Sequence, residues 1–529
     1  MLFRSSVFLA ASAAVASAIT PRSFGMRAPL PPPLDASEVQ IAHGALDTNG
    51  SALPPLNTTY YFDQLIDHND PSKGTFQQRY WMTWNFYEDG GPIVLFTPGE
   101  ANAEPYTGYL TNRTINGQIA QQQGGATIVL EHRFFGLSNP YDDLSVKSLQ
   151  LLTLEQSVDD LEYFVKNVNV PAPINEPSKA PWVLVGGSYS GALTAWTMVA
   201  KPNLFAAGWA SSAVVETIVD FWQYFEIPRT HMPKNCSSDV QAVIAHFDAV
   251  AHNPKAVASL KAQFGLEDVE HYDDVTAALK NPIYSWQDLQ PESGPNTDFF
   301  AFCDALEVKD DKSAPASGWG LEHALSAWGA YFKNEYLPSI CGDDNYNDCL
   351  GTYNATQEFY TSTEVDDANR SWFWFVCNEV GWFQDAAPLG HPTIVSRTLQ
   401  PANQEIRQCG YFFPGAQPVS SARILKTDKT YKGWDLDVQT IFFGNGERDP
   451  WRYSTTSAPG VTPPHIPQSH IGLHDGFHTS DLIIANDVDS TVAAVQKKGL
   501  AFIKQTLAVS KSSSSRRGWR EGIKRDASA

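Results

Sequence analysis

The run Val183-Leu184-Val185-Gly186-Gly187-Ser188-Tyr189-Ser190-Gly191-Ala192 constrains this chain more than any other. An apolar stretch suited to a buried strand meets a glycine-rich turn, and a helical stretch follows from Ala192 to Ala200. Backbones pack closely in so sharp a turn, which calls for glycine. The turn lifts Ser188 to a strand end beside a helix N-terminus, where negative charge on a substrate oxygen is stabilised. This is the context of a nucleophile elbow. The strict G-x-S-x-G form is broken, because Ser190 stands where the second glycine belongs. An ordinary glycine-rich strand-to-helix turn has a similar composition, so the run needs support from elsewhere in the chain.

A serine nucleophile needs a base, and the base needs an orienting acid, in the chain order Ser, Asp, His for an α/β-hydrolase. Downstream, Val438 to Phe443 reads as a strand and is followed by Gly444-Asn445-Gly446-Glu447-Arg448-Asp449-Pro450-Trp451. That puts Asp449 in a turn at a strand end. His474-Asp475-Gly476-Phe477-His478-Thr479-Ser480-Asp481 precedes a C-terminal helix, and His474 and His478 compete for the base. The early strand Ile93 to Thr97 leads into Pro98-Gly99-Glu100. A loop there usually gives one oxyanion-hole N–H, assigned to Gly99, and the backbone N–H of Tyr189 gives the second. Glu100 reads either as a solvated loop carboxylate or as a group facing the substrate, where it would meet a substrate amine.

Apolar strand-like runs (Ile93 to Thr97, Thr127 to Leu130, Trp182 to Val185) alternate with helical patterns such as Leu154 to Val168, which predicts an α/β class with a mostly parallel sheet. Residues 57–215 and 431–509 form the two parts of this sheet domain. Residues 216–430 form a helical insert above the strand C-terminal ends, where such sheets place ligand sites. In the insert, Ser237 is expected to cap a helix with Val240, Val243, Ile244, Phe247 and Val250 on one face. In the last helix Val488, Val492, Val495 and Phe502 share a face. Residues 19–56 read as a loose, proline-rich leader or pro-segment, and 510–529 as a disordered basic tail.

Residues 1–18 read as a signal peptide: Arg4, an apolar run from Val7 to Ala16, and Ala16-Ser17-Ala18 for cleavage. A secreted protein is expected, with a vacuolar or lysosome-like compartment as the alternative, and no stable membrane association. Sequons at Asn49, Asn57, Asn112, Asn235, Asn354 and Asn369 are candidate glycosylation sites. In an oxidising compartment the six cysteines read as three disulfides, expected between nearest neighbours: Cys236–Cys303, Cys341–Cys349 and Cys377–Cys409. No metal site or cofactor is expected, since no Cys-His cluster has ligand spacing. With 58 acidic against 37 basic side chains and a net charge of −21, a nucleic-acid partner is disfavoured.

The motifs GGSYSGALTAW, NGERDPW and GFHTSDL, in this order, resemble the S28 serine peptidases, which include lysosomal Pro-X carboxypeptidase, dipeptidyl peptidase II and fungal acid prolyl endopeptidases. Further matches lie at Asp67 to Trp81, Phe96 to Glu100, Glu131 to Gly136 and Leu152 to Leu161. The resemblance implies an α/β-hydrolase fold with a helical cap, and cleavage on the carboxyl side of proline in peptides or proteins. By motif, Ser188 is the nucleophile, Asp449 the orienter and His478 the base, in preference to His474. Trp451 matches a position lining the proline pocket, against the alternative of plain core packing. The cluster Trp372-Phe373-Trp374-Phe375 is either core or the rest of that pocket, through Trp374. The resemblance leaves endopeptidase, carboxypeptidase and dipeptidyl-peptidase modes open, as well as the oligomeric state. An esterase or lipase shares the same elbow, but an acidic, disulfide-rich cap is unlike a lipase lid. A catalytically dead binding protein is disfavoured by the intact Ser, Asp, His order.

Overall fold

Aliphatic runs without interspersed charges become strands buried on both faces. The structure is a computed structural model and describes residues 28, 30–34 and 46–526, with side chains as far as Ser510. The segment read as a signal peptide lies outside the described residues, as do most of the leader and residues 527–529. Eight strands form the central sheet: β1 (Tyr60–Leu65), β2 (Thr75–Thr83), β3 (Ile93–Thr97), β4 (Ala126–Leu130), β5 (Trp182–Gly187), β6 (Ala207–Ser211), β7 (Ile441–Gly446) and β8 (Ile471–His474). Their spatial order is β1-β2-β4-β3-β5-β6-β7-β8. Strand β2 runs antiparallel to β1 and β4, and the pairings from β4 through β8 are parallel. This is the α/β-hydrolase fold.

Alternation along each strand divides the core. On β3, Val94 and Phe96 face a cluster that includes α1 (Ile115–Gln123), with Trp209, Phe442, Ile503 and Leu507 under the C-terminal helix. Ile93 and Leu95 face a larger cluster that includes α2 (Leu154–Asn167) and α3 (Tyr189–Ala200) and continues into the insert. Between β6 and β7 the chain is mainly helical, and the three disulfides pair Cys236 with Cys303, Cys341 with Cys349 and Cys377 with Cys409.

Several local expectations are corrected. Strand β7 begins at Ile441 rather than Val438 and runs through Gly446. Gly444 and Gly446 belong to the strand because other chain segments press on it: a Cβ would lie 2.2 Å from Asp481 Oδ2 at Gly444 and 2.5 Å from the Phe477 carbonyl at Gly446. The helix Lys234–Val250 starts one turn ahead of Ser237, whose hydroxyl donates to the Arg229 carbonyl instead of capping. Its expected face is buried through Phe247. Val488 precedes the last helix and is 70% exposed, whereas Val492 and Val495 are buried. That helix extends over Ser490–Asp526, through the segment read as a disordered tail. Its described buried contacts end at Leu507, and the Lys, Arg and Ala beyond are ordinary helix formers.

Buried carboxyls are a recurring feature of the insert. Burial pushes Glu307 and Glu379 up to about 7, and Asp274 and Asp385 to about 6. Glu216 is raised to about 7 by burial and by nearby Asp428. A carboxyl with a raised folded-state pKa binds its proton more tightly when folded. Its contribution is complete below the unfolded value and is lost as pH rises through the folded value. Thermal denaturation is therefore expected to show a higher Tm near about pH 5 than near about pH 8. A Tm that rises over this interval contradicts the assignment.

Candidate active site

The elbow forms between β5 and α3. Ser188 sits at φ 64° and ψ −121°, a strained conformation for a non-glycine residue. Its amide donates to the Ser211 carbonyl at 2.8 Å, and its carbonyl accepts from Ala192 N–H at 2.9 Å. Glycine is required at position 186, where a Cβ would stand 2.0 Å from the Ser190 carbonyl oxygen. The departure from the motif has a use. Ser190 Oγ accepts from Gly187 N–H (3.0 Å) and donates to the Gly187 carbonyl (2.9 Å), stapling the turn that glycine would leave open.

Ser188 Oγ lies 2.7 Å from His478 Nε2, and His478 Nδ1 lies 2.8 Å from Asp449 Oδ1. Residues 290 positions apart thus share one hydrogen bond. The same Asp449 oxygen accepts from the Trp451 amide at 2.8 Å, which holds the carboxylate in the turn after β7. The histidine loop is fixed from two sides. Thr479 N–H donates to Ser212 Oγ (2.9 Å), and Gln290 Nε2 donates to the His478 carbonyl (2.9 Å). Ser188 is 0% exposed and His478 1%.

His474 is committed elsewhere. Its Nδ1 accepts from Gly476 N–H and its Nε2 faces Asp481 at 3.4 Å, so it braces the loop and does not meet Ser188. Asp481 also accepts from Trp209 Nε1 and Ser211 Oγ, tying this brace to β6.

Tyr189 opens α3, so its amide has no intrahelical partner. Gly99 packs against this turn: a Cβ there would lie 3.1 Å from the Tyr189 ring and 3.2 Å from Ser190 Cβ. Its own N–H donates to Thr97 Oγ1 at 3.3 Å, so in this structure it is turned back to its loop. Glu100 is not a solvated carboxylate. It is 1% exposed, neither oxygen has a hydrogen-bond partner among the described residues, and burial raises its pKa well above the usual carboxylate range. It lies within electrostatic reach of Tyr106 and Tyr189.

Trp451 is buried in an aromatic cage formed with Phe221 (centroids 5.4 Å), Tyr224 (5.5 Å) and Trp382 (5.7 Å). Trp372 stacks on Trp382 at 6.1 Å and meets the Tyr189 ring at 5.4 Å. Trp374 is not part of this cage. It donates to the Leu152 carbonyl, packs on Phe413 and lines a separate cavity of about 730 Å³ bounded by Glu155, Lys201 and Lys426. Trp382, Phe221 and Tyr224 were missed from sequence because no local pattern marks them. Trp382 adopts φ 57°, strain of a kind that gathers at functional sites.

The family model described as serine carboxypeptidase S28 matches residues 64–499. The chain belongs to this family. It is a serine peptidase of S28 type, and its relatives carry matching names. The serine protease vicPa of Bipolaris victoriae is 34% identical over 495 residues, covering 88% of this chain and 92% of that protein. A probable extracellular serine carboxypeptidase of Arthroderma benhamiae is 29% identical, covering 71% of this chain and 55% of that one. Among solved structures, a proline iminopeptidase of Mycobacterium smegmatis aligns at 11% identity with a TM-score of 0.34, covering 84% of this chain and 99% of that one. In this S28 peptidase no helix among the described residues is long and apolar enough to cross a membrane.

Proposed function

We propose that the protein is a secreted peptidase that hydrolyses peptide bonds on the carboxyl side of proline through Ser188, His478 and Asp449. The observation carrying this reading is the unbroken hydrogen-bond chain Ser188–His478–Asp449 with the aromatic cage one turn away at Trp451. Ser188 Oγ attacks the scissile carbonyl carbon while its proton passes to His478 Nε2. Asp449 accepts the Nδ1–H bond, fixing the tautomer and stabilising the imidazolium. The C–N bond then breaks, and the proton goes to the leaving amine. Water next attacks the acyl-enzyme ester, again losing a proton to His478, which returns it to Ser188. The Tyr189 amide is the oxyanion donor best supported by position.

An aromatic cage suits proline, a rigid apolar ring without an N–H to satisfy. Work in acid is supported by Glu100. A neutral carboxyl beside the elbow leaves oxyanion formation unopposed, whereas its ionised form would repel the developing charge. A buried neutral acid is a poor grip for a substrate amine, so Glu100 does not favour the dipeptidyl-peptidase mode. Secretion is supported by three disulfides. Glycosylation is best supported at the exposed Asn49, Asn57, Asn354 and Asn369, since Asn112 and Asn235 are half-buried.

The test is mass-spectrometric mapping of products from a long proline-containing peptide, digested in acid and at neutral pH. New carboxyl termini at proline, formed faster in acid, are expected. Cuts indifferent to proline contradict the specificity, and faster cutting at neutral pH contradicts the acid reading.

A further inference from the structure

The leader is not loose where it is described. The Ala28 carbonyl accepts from Gln287 Nε2 at 2.9 Å, the Pro31 carbonyl from the Tyr106 hydroxyl at 3.1 Å, and the Pro32 carbonyl from the Tyr109 hydroxyl at 2.8 Å. The Leu34 carbonyl accepts from Gly108 N–H at 2.7 Å, and the Leu34 side chain is buried in the cluster that contains Trp81, Phe96 and Tyr109. In all four bonds the body of the protein donates and the strap accepts. Pro31, Pro32 and Pro33 have no N–H to offer, so donors aimed at carbonyls are the means of reading such a segment.

The strap also lies beside the candidate active site. Gln287 Oε1, on the same amide that holds Ala28, accepts from Trp451 Nε1 (2.8 Å) and the Tyr224 hydroxyl (3.0 Å), two rings of the aromatic cage. Farther along, Pro31 Cβ lies 3.3 Å from where a Cβ on Gly187 would be, one residue before Ser188. Thr479, the neighbour of His478, borders the same point at 3.1 Å. The strap therefore passes from the cage, beside the elbow, to the turn Glu104–Leu110. In sequence, Ala28 is followed by Pro29.

We propose that Ala28 and residues 30–34 are a substrate-like occupant of the peptide groove that inhibits the enzyme in cis. On this reading Gln287, Tyr106, Tyr109 and the Gly108 amide form a row of backbone-reading subsites for extended proline-rich peptides. The proposal rests on the active site given above and deepens it. The groove continues past the elbow as far as Leu34, which suits a leaving segment longer than one residue and so an endopeptidase rather than a strict carboxypeptidase. A tethered segment acts at about millimolar effective concentration, so it can close the groove even where the free peptide binds weakly.

The test uses the full chain with a recognition sequence for another protease inserted between Ser37 and Glu38. It is cut after folding and freed of the strap, with release checked by mass. Cutting is expected to raise kcat/KM on a proline peptide about tenfold or more. A fluorescent peptide of residues 26–36 is expected to bind the cut form, not the uncut form, and to inhibit it competitively. Gln287→Leu and Tyr109→Phe are each expected to weaken this binding about fivefold, the worth of one hydrogen bond. Leu34→Asp in the uncut chain removes the buried anchor and is expected to mimic cutting. Equal kcat/KM in cut and uncut chains, or no binding of the peptide to the cut form, overturns the proposal. Peptide binding is read without catalysis. Binding with no turnover in either form supports the groove and refutes the peptidase mechanism, and equal turnover without binding does the reverse.

Discussion

Ser188→Ala is expected to lower kcat by about 10⁶-fold, the loss seen when a triad nucleophile is removed. The lost hydroxyl is one end of the 2.7 Å bond to His478, and alanine adopts the same backbone conformation no less readily than serine. Stability should therefore change by no more than about 1 kcal/mol, within the range of a single hydrogen bond. Steady-state kinetics together with a melting curve separates the two effects. A purified variant that folds and cleaves at wild-type rate contradicts the mechanism, and one that loses activity only because it unfolds leaves the nucleophile unassigned.

The largest expected effect on stability lies away from the chemistry, at Arg133. This guanidinium is fully buried and donates to Asp160 through Nε at 2.6 Å and through a second nitrogen. It also donates to the carbonyls of Leu65, Ile66 and Leu151, tying the end of β1 to the approach to α2. Asp160 takes a further bond from His68 Nε2 at 2.7 Å. Arg133→Met strands that carboxylate in the interior and is expected to cost about 3–5 kcal/mol. Urea denaturation measures it. Adding Asp160→Leu to Arg133→Met should recover much of the loss, because the uncompensated charge goes with it. A single variant within about 1 kcal/mol of wild type contradicts this account of the core.

These ion pairs explain the family motifs that the chemistry does not use. Arg79 of the Asp67 to Trp81 segment pairs with Glu131, which also accepts from Ser138 Oγ and Ala103 N–H. Arg133 pairs with Asp160 of the Leu152 to Leu161 segment. The motifs are thus largely the two halves of buried charge pairs, each half constraining the other across the chain.

The strands β3, β4 and β5 were legible because burial on both faces leaves an unbroken apolar signature. The meeting of Ser188, Asp449 and His478 was legible because each follows a strand, in the order that the proposed reaction requires. Trp374 misled for a geometric reason. Residues two apart on a helix point about 200° away from each other. Trp372 therefore reaches Tyr189 and Trp382, while Trp374 faces Leu152 and Phe413. The cage partners Phe221, Tyr224 and Trp382 are brought to Trp451 by the folding of the insert, and no short-range pattern records such a meeting. Composition alone reads Pro31-Pro32-Pro33 as loose. Only the fold reveals the donors that meet its carbonyls.

The central claim is that Ser188 is made nucleophilic by His478. Treating the strap-released enzyme with a fluorophosphonate and locating the adduct by tandem mass spectrometry tests it most directly. A single phosphonylated residue at Ser188, with the rate of labelling collapsing in His478→Ala, is the predicted result. An adduct on another residue, or labelling of Ser188 that is indifferent to the histidine, would contradict it.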